Sequence, residues 1–463
     1  MKNYLILFFV LMITSCGNKS DNQFLVHWQP PESHWQDPNP ELSNELNSLI
    51  QNQLLQLNTP CRNDYNTDQK MCELVAIEAG EVKNIKLDKE SEGLRILLID
   101  DSSMRLAAYT RYRQRVILNL KENNNGKFIP DNTLINIPRI TKNILLDTFS
   151  NSNYEKIPYE LSTPSSKLFA HILNRSLQEL IFNSESVGHG NSIFNFIANN
   201  NPKSKFILAY TNEYEYENIL KSEKNEDNIK RRIDNLFLNQ SNDFKFYIKK
   251  YKINFISLSS GISIDSINKT FNTLPTEIKK YIVKSYYINF IDNLLKNNDS
   301  ILIQSNVFTQ SQNIEDDLGY YADCKKHERR FRIGYVRDMN YSISRFGSRD
   351  DKLISGIHKN SMKCTDIYIN FSVEKESPYN YNKGTIAFSF FNIGALTLNN
   401  REISSSNATP VALSYLLYLK SLNPELDNHS LIKIINILKG DKFIILDPSY
   451  HKQFPVYEYN YLR

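Results

Sequence analysis

Apolar positions along the chain group into short unbroken runs of strand length, separated by stretches with helical spacing. Residues 94–99 (Leu-Arg-Ile-Leu-Leu-Ile), 253–261 (Ile-Asn-Phe-Ile-Ser-Leu, ending in the small residues Ser-Ser-Gly) and 300–306 (Ser-Ile-Leu-Ile-Gln-Ser-Asn) are runs of the first kind. Such runs suit strands buried on both faces, as in a parallel sheet. Helical spacing follows at 193–198, at 276–295 and at 411–419, with a further helical pattern at 41–57 and a late strand or hairpin arm at 384–390. Strand runs alternating with helical stretches predict an α/β fold on a parallel sheet. The charges at 307–375, among them Lys325, Lys326, Arg329, Arg330 and Arg332, read as a solvated surface insertion.

Three junctions between elements carry polar residues with chemical potential. The run at 94–99 stops abruptly at Asp100-Asp101-Ser102, and the carboxyl ends of such strands are where open α/β sheets bind their ligands. His189 stands between Gly188 and Gly190 just before a helical pattern, so a tight turn presents the imidazole at a helix start. Ser404-Ser405-Ser406-Asn407-Ala408-Thr409-Pro410 precedes an apolar helical run, with Pro410 expected in the first turn. A serine there is ordinarily a helix cap, yet its hydroxyl also lies at the positive end of the helix dipole.

The ends and the composition narrow the setting. Lys2 precedes an apolar run from Tyr4 to Ile13, too short to span a bilayer and of the length of an export signal. Its ending, Ile13-Thr14-Ser15-Cys16-Gly17, resembles the lipobox of bacterial lipoproteins, which implies lipidation of Cys16 and a periplasmic or outer-membrane address. The expected division is a signal peptide at 1–16, a proline-bearing tether, N-terminal extension or propeptide at 17–90, and one large domain at 91–463. Of five cysteines, four remain in an exported chain, which predicts the disulfides Cys61–Cys72 and Cys324–Cys364 rather than a metal site. A net charge of +4 across 463 residues, with both signs interspersed, gives no nucleic-acid footprint.

Ser406-Asn407-Ala408-Thr409-Pro410 matches the Ser-x-Ala-Thr-Pro signature around the nucleophile of the subtilisin-like serine proteases. His189-Gly190-Asn191-Ser192 is similar to that family's histidine motif, with Ser192 where a second histidine is usual. Leu97-Leu98-Ile99-Asp100 resembles its first catalytic strand. Ser257-Leu258-Ser259 resembles the strand that lines the substrate and pairs with it, with Ser259 in place of the commoner glycine narrowing the side-chain pocket. Asn306 corresponds to the oxyanion-hole asparagine, preceded by Ser305 instead of glycine, and Ser404-Ser405 replace the usual Gly-Thr. The order Asp100, His189, Asn306, Ser406 is the family's order. The resemblance implies a three-layer subtilisin-like fold with insertions and a small N-terminal extension, a peptidase domain at 91–463, and a serine endopeptidase acting on protein or peptide substrates. It implies a triad of Asp100, His189 and Ser406 and no redox or nucleotide cofactor. Structural Ca²⁺, common in the family, has no acidic loop here to which it could be assigned.

Two other readings compete. A pseudoprotease would keep the peptide-binding groove with little turnover, as the altered neighbours of His189, Asn306 and Ser406 suggest. A phosphorelay receiver would use Asp100, Asp101 and Asp147, but an exported chain is separated from the kinases and ATP that receivers serve.

Overall fold

The computed structural model describes residues 25–28, 73–78, 93–101, 104, 115–131, 134–138, 189–201, 204–211, 215–306, 327–336, 365–370, 405–439 and 444–448. The expected signal at 1–16, all five cysteines, Asp147, the helical pattern at 41–57 and the strand at 384–390 lie outside these residues.

The apolar runs form strands as their pattern predicts. In chain order these are β1 (Leu25–Trp28), β2 (Leu74–Glu78), β3 (Arg95–Asp100), β4 (Val116–Glu122), β5 (Phe128–Pro130) and β6 (Leu134–Pro138), then β7 (Lys205–Tyr210), β8 (Phe255–Leu258), β9 (Ile301–Ser305), β10 (Arg330–Val336), β11 (Ile367–Asn370) and β12 (Ile444–Pro448). Ten of them make one sheet in the order β1-β12-β11-β10-β9-β8-β3-β7-β4-β5, while β2 and β6 pair antiparallel by themselves. Every pairing in the large sheet is parallel except the β4–β5 hairpin.

Parallel strands need crossovers, and these supply helices to both faces. The helices are α1 (His189–Asn200), α2 (Glu215–Ser222), α3 (Glu226–Tyr251) and α4 (Ile264–Thr270). Next comes α5, which runs through Thr276–Ser285, a π-helical turn at Tyr286–Asp292 and a last turn at Asn293–Leu295. The chain closes with α6 (Ser405–Leu422) and α7 (Asn428–Lys439). Strand residues alternate between two cores. Ile96, Leu98, Phe255, Ile301 and Ile303 pack with Phe194 and Ile197 of α1, Val411 and Leu416 of α6, and Ile435 of α7. Leu97, Ile99, Ile256, Leu258 and Leu302 pack with Ile233 and Phe237 of α3 and Ile282 and Phe290 of α5. The result is an α/β fold, a mostly parallel sheet between two helical layers.

Two expectations change. Arg330 and Arg332 are not part of a solvated insertion: they lie in an interior strand, 7% and 3% exposed, alternating with the core residues Phe331 and Ile333. Burial is tolerated because each guanidinium has partners. Arg330 donates from Nε to Gln304 Oε1 at 2.9 Å and lies over the Tyr287 ring, while Arg332 bonds Asp366 from Nε at 2.8 Å, with Lys439 pairing the same carboxylate. Second, Pro410 is not in the first turn: α6 begins at Ser405, so the proline stands in the second turn, inside the helix. Within the N-terminal stretch at 17–90, Leu25–Trp28 is an edge strand of the main sheet beside β12, and Leu74–Glu78 pairs with β6.

Candidate functional site

All strands of the parallel array end on one side, so the residues that follow them share one surface. Asp100 is the last residue of β3 and Asn306 directly follows β9. On the face covered by α1 and α6, His189 is the first residue of one helix and Ser406 the second of the other. Helix starts and strand ends therefore meet at one edge of the sheet.

Three of these side chains touch. His189 Nδ1 lies 2.9 Å from Asp100 Oδ2, and His189 Nε2 lies 2.9 Å from Ser406 Oγ. An ionised carboxylate can only accept, so Nδ1 carries the proton donated to Asp100, which leaves the Nε2 lone pair facing the serine hydroxyl. Asp100 is 1% exposed, whereas His189 and Ser406 are half-buried and open to a reactant. The backbone of Asp100 is held from β7's end, where the Thr211 N–H donates to the Asp100 carbonyl at 2.9 Å. This arrangement suits proton transfer from an alcohol to an imidazole whose positive form a buried carboxylate stabilises.

Asp101 adds a second carboxylate. Desolvation at the rim, then the Asp100 charge and a hydrogen bond with Asp100, push its pKa up from 3.8 to about 6, with the His189 charge opposing. Its surface is nonetheless exposed, so solvent tempers these effects. Asp100, Asp101 and His189 bring one ligand atom each within 4.8 Å of one another, a spacing that a divalent ion could bridge. The imidazole nitrogens are already engaged, one by Asp100 and the other by Ser406.

Helix α6 has an unusual start. Residues at a helix N-terminus present N–H groups without intrahelical acceptors, together with a positive dipole end. Pro410, four residues beyond Ser406, has no N–H to give the Ser406 carbonyl. The Thr409 hydroxyl donates to the Ser405 carbonyl at 2.9 Å. Asn306 is 3% exposed; its backbone N–H donates to the Ile333 carbonyl at 2.8 Å and its Nδ2 to Thr365 Oγ1 at 2.6 Å. A carboxamide nitrogen carries two protons, so one further donation remains within its capacity.

Ser257, Leu258 and Ser259 are all buried, and the Ser257 and Ser259 hydroxyls meet no hydrogen-bond partner among the described residues. Both edges of β8 are occupied through Leu258, by Ile99 on one side and Gln304 on the other. An added peptide strand could use only the backbone from Ser259 onward, not the whole of β8. Two contacts of the site were invisible in the sequence. Thr365, which holds Asn306, is an isolated threonine before a short apolar strand, and Thr211 follows β7 with no local signal. Ser305 and Ser405 stood out only as departures from a motif, and their hydroxyls lie 3.2 Å apart.

No family model, curated protein or solved structure matches this chain.

Proposed function

We propose that the chain is a serine endopeptidase of subtilisin-like type. The observation that carries this reading is the continuous pair of contacts at His189, 2.9 Å to Asp100 on one nitrogen and 2.9 Å to Ser406 on the other. The parallel sheet between two helical layers and the chain order Asp100, His189, Asn306, Ser406 support the subtilisin-like assignment.

In this reading His189 Nε2 takes the Ser406 proton as Oγ bonds to the scissile carbonyl carbon. Asp100 stabilises the imidazolium that results. The carbonyl oxygen becomes an oxyanion and accepts from Asn306 Nδ2 and the Ser406 backbone N–H, donors of a kind worth about 3 kcal/mol each in the transition state. The carbon–nitrogen bond then breaks, and His189 returns the proton to the departing amine. Water, deprotonated by the same imidazole, releases the acyl group and restores the serine. None of these steps calls for a redox or nucleotide cofactor.

The address also belongs to the proposal. The apolar stretch ending at Cys16 supports export and lipid anchoring to a bacterial membrane, with the catalytic body outside the cytoplasm. Among the described residues no helix is long and apolar enough to cross a membrane.

A peptide-binding pseudoprotease is the second reading, favoured by one observation: the Asn306 carboxamide is engaged by Thr365 rather than wholly available to an oxyanion. Purified protein and its Ser406→Ala variant, incubated with a fluorogenic peptide library, separate the two. The endopeptidase reading expects cleavage by the wild type alone. Peptide retention without product would support the pseudoprotease, and equal cleavage by both proteins would contradict the assigned nucleophile.

A further inference from the structure

We propose that Ser305 and Ser405 form a hydroxyl bridge that fixes the spacing between Asn306 and Ser406, making both serines positioning residues for oxyanion stabilisation. The inference rests on the endopeptidase reading and adds to it two residues that the proposed chemistry leaves idle.

Ser305 is the last residue of β9 and Ser405 the first of α6, a hundred positions apart in sequence. Their Oγ atoms lie 3.2 Å apart, and either can donate. Ser305 is 6% exposed and Ser405 is half-buried, so the contact is partly sheltered from competing water. Directly after each serine comes one of the two proposed oxyanion donors, the Asn306 carboxamide and the Ser406 N–H. The bridge is thus one covalent residue away from both.

The two sides differ in what else holds them. On the strand side, Ser305 is in register with Ile333 of β10, and the Asn306 N–H donates to the Ile333 carbonyl at 2.8 Å. That side is rigid. On the helix side, Pro410 withholds the N–H that would bond the Ser406 carbonyl, so the first turn of α6 has one backbone tie fewer. Side chains bear on it instead: Thr409 Oγ1 to the Ser405 carbonyl, His189 to the Ser406 hydroxyl, and Ser305 to the Ser405 hydroxyl. Further along, α6 meets the sheet through apolar residues such as Ala408, Val411 and Ala412, and through Lys420 over the Phe255 ring. Apolar packing sets the distance between layers but is non-directional, so it resists sliding weakly. A hydrogen bond between the strand end and the helix start adds direction at the turn that carries Ser406. Oxyanion donors work only when both lie about 2.7–3.1 Å from the developing charge, so freedom to slide is felt in the chemical step.

Neither serine is a second nucleophile, because the imidazole contact goes to Ser406 Oγ.

The test uses the full mature protein as wild type, Ser305→Ala, Ser405→Ala, the double variant and Ser405→Thr, which keeps a hydroxyl. For each, kcat and KM on a fluorogenic peptide are measured beside the thermal unfolding midpoint. Each alanine variant is expected to lose between about 10- and 100-fold in kcat with KM within about twofold, since misplacement acts on the transition state. The double variant should be no worse than the poorer single, and Ser405→Thr should regain most of the loss. Should Ser305→Ala not fold, Ser405→Ala against Ser405→Thr decides alone. Losses that multiply in the double variant, a change confined to KM, or unaltered kcat on an active wild type would overturn the bridge while leaving the endopeptidase reading intact. A wild type that neither cleaves peptide nor reacts with an active-serine reagent would overturn both.

Discussion

Asp101 is the residue whose charge state the neighbourhood disturbs most visibly around His189. Its carboxyl holds a proton up to about pH 6 in the folded chain, against an ordinary 3.8, because it is desolvated beside the Asp100 charge. The folded state therefore binds more protons than the unfolded state between these two values. Its stabilising contribution is complete below about pH 3.8 and is lost as pH rises through 6. Asp101→Asn removes that dependence. The variant is expected to gain stability over wild type at pH 7.5, by at most about 1 kcal/mol given the exposure of the residue, and to gain none near pH 3.5. Urea unfolding at the two pH values measures this; an equal gain at both, or a loss at pH 7.5, would contradict it. Asp101 also marks the limit of what residue-level reading could give. Asp100, His189 and Ser406 were legible because each stands where the local pattern changes abruptly. The role of Asp101 was not, because a turn-forming aspartate and a charge-coupled one look alike in sequence.

Among the elements, β10 was the least legible and β3, β8 and β9 the most. The latter three are apolar runs, and a run buried on both faces announces itself. In β10 the arginines alternate with apolar residues, as they would on a half-solvated strand. What makes them interior is Gln304, Tyr287, Asp366 and Lys439, contributed by four different elements or their flanks. Charge pairs of that kind appear only once the chain is folded. They also create a vulnerability. Asp366, 2% exposed, answers both Arg332 and Lys439, so Asp366→Ala leaves two cations without their carboxylate. Breaking such a pair costs about 3–5 kcal/mol. The variant should show that loss in chemical denaturation. A change under about 1 kcal/mol would mean that water reaches the arginine. The start of α6 misled in another way: a proline read as a first-turn residue stands in the second, and the helix reaches back to include the serines before it.

For the whole molecule, the sheet links distant parts of the chain. The hydrophobic pattern predicted the parallel array and its helical layers, but not that a strand from the proline-bearing N-terminal stretch closes one edge. Leu25–Trp28 pairs with Ile444–Pro448, and Leu74–Glu78 pairs with Leu134–Pro138. Deleting residues 17–90 would expose the edge of β12 and unpair β6. Exposed strand edges are templates for association. The truncated chain is expected to aggregate or to form higher oligomers on size exclusion, while the chain from residue 17 stays dispersed; equal behaviour and equal activity would identify the stretch as removable. No such test is needed to see why the catalytic reading depends on the fold: Asp100 and Ser406 are separated by most of the described chain and meet only through the side on which the parallel strands end.

The most direct measurement is covalent labelling of the wild-type protein with a fluorophosphonate, followed by intact mass and peptide mapping. One adduct per chain, located on Ser406 and abolished in both His189→Ala and Ser406→Ala variants that remain folded, is the predicted result. Folded wild-type protein that stays unlabelled, or an adduct mapped to another residue, would contradict the assignment of Ser406 as an activated nucleophile.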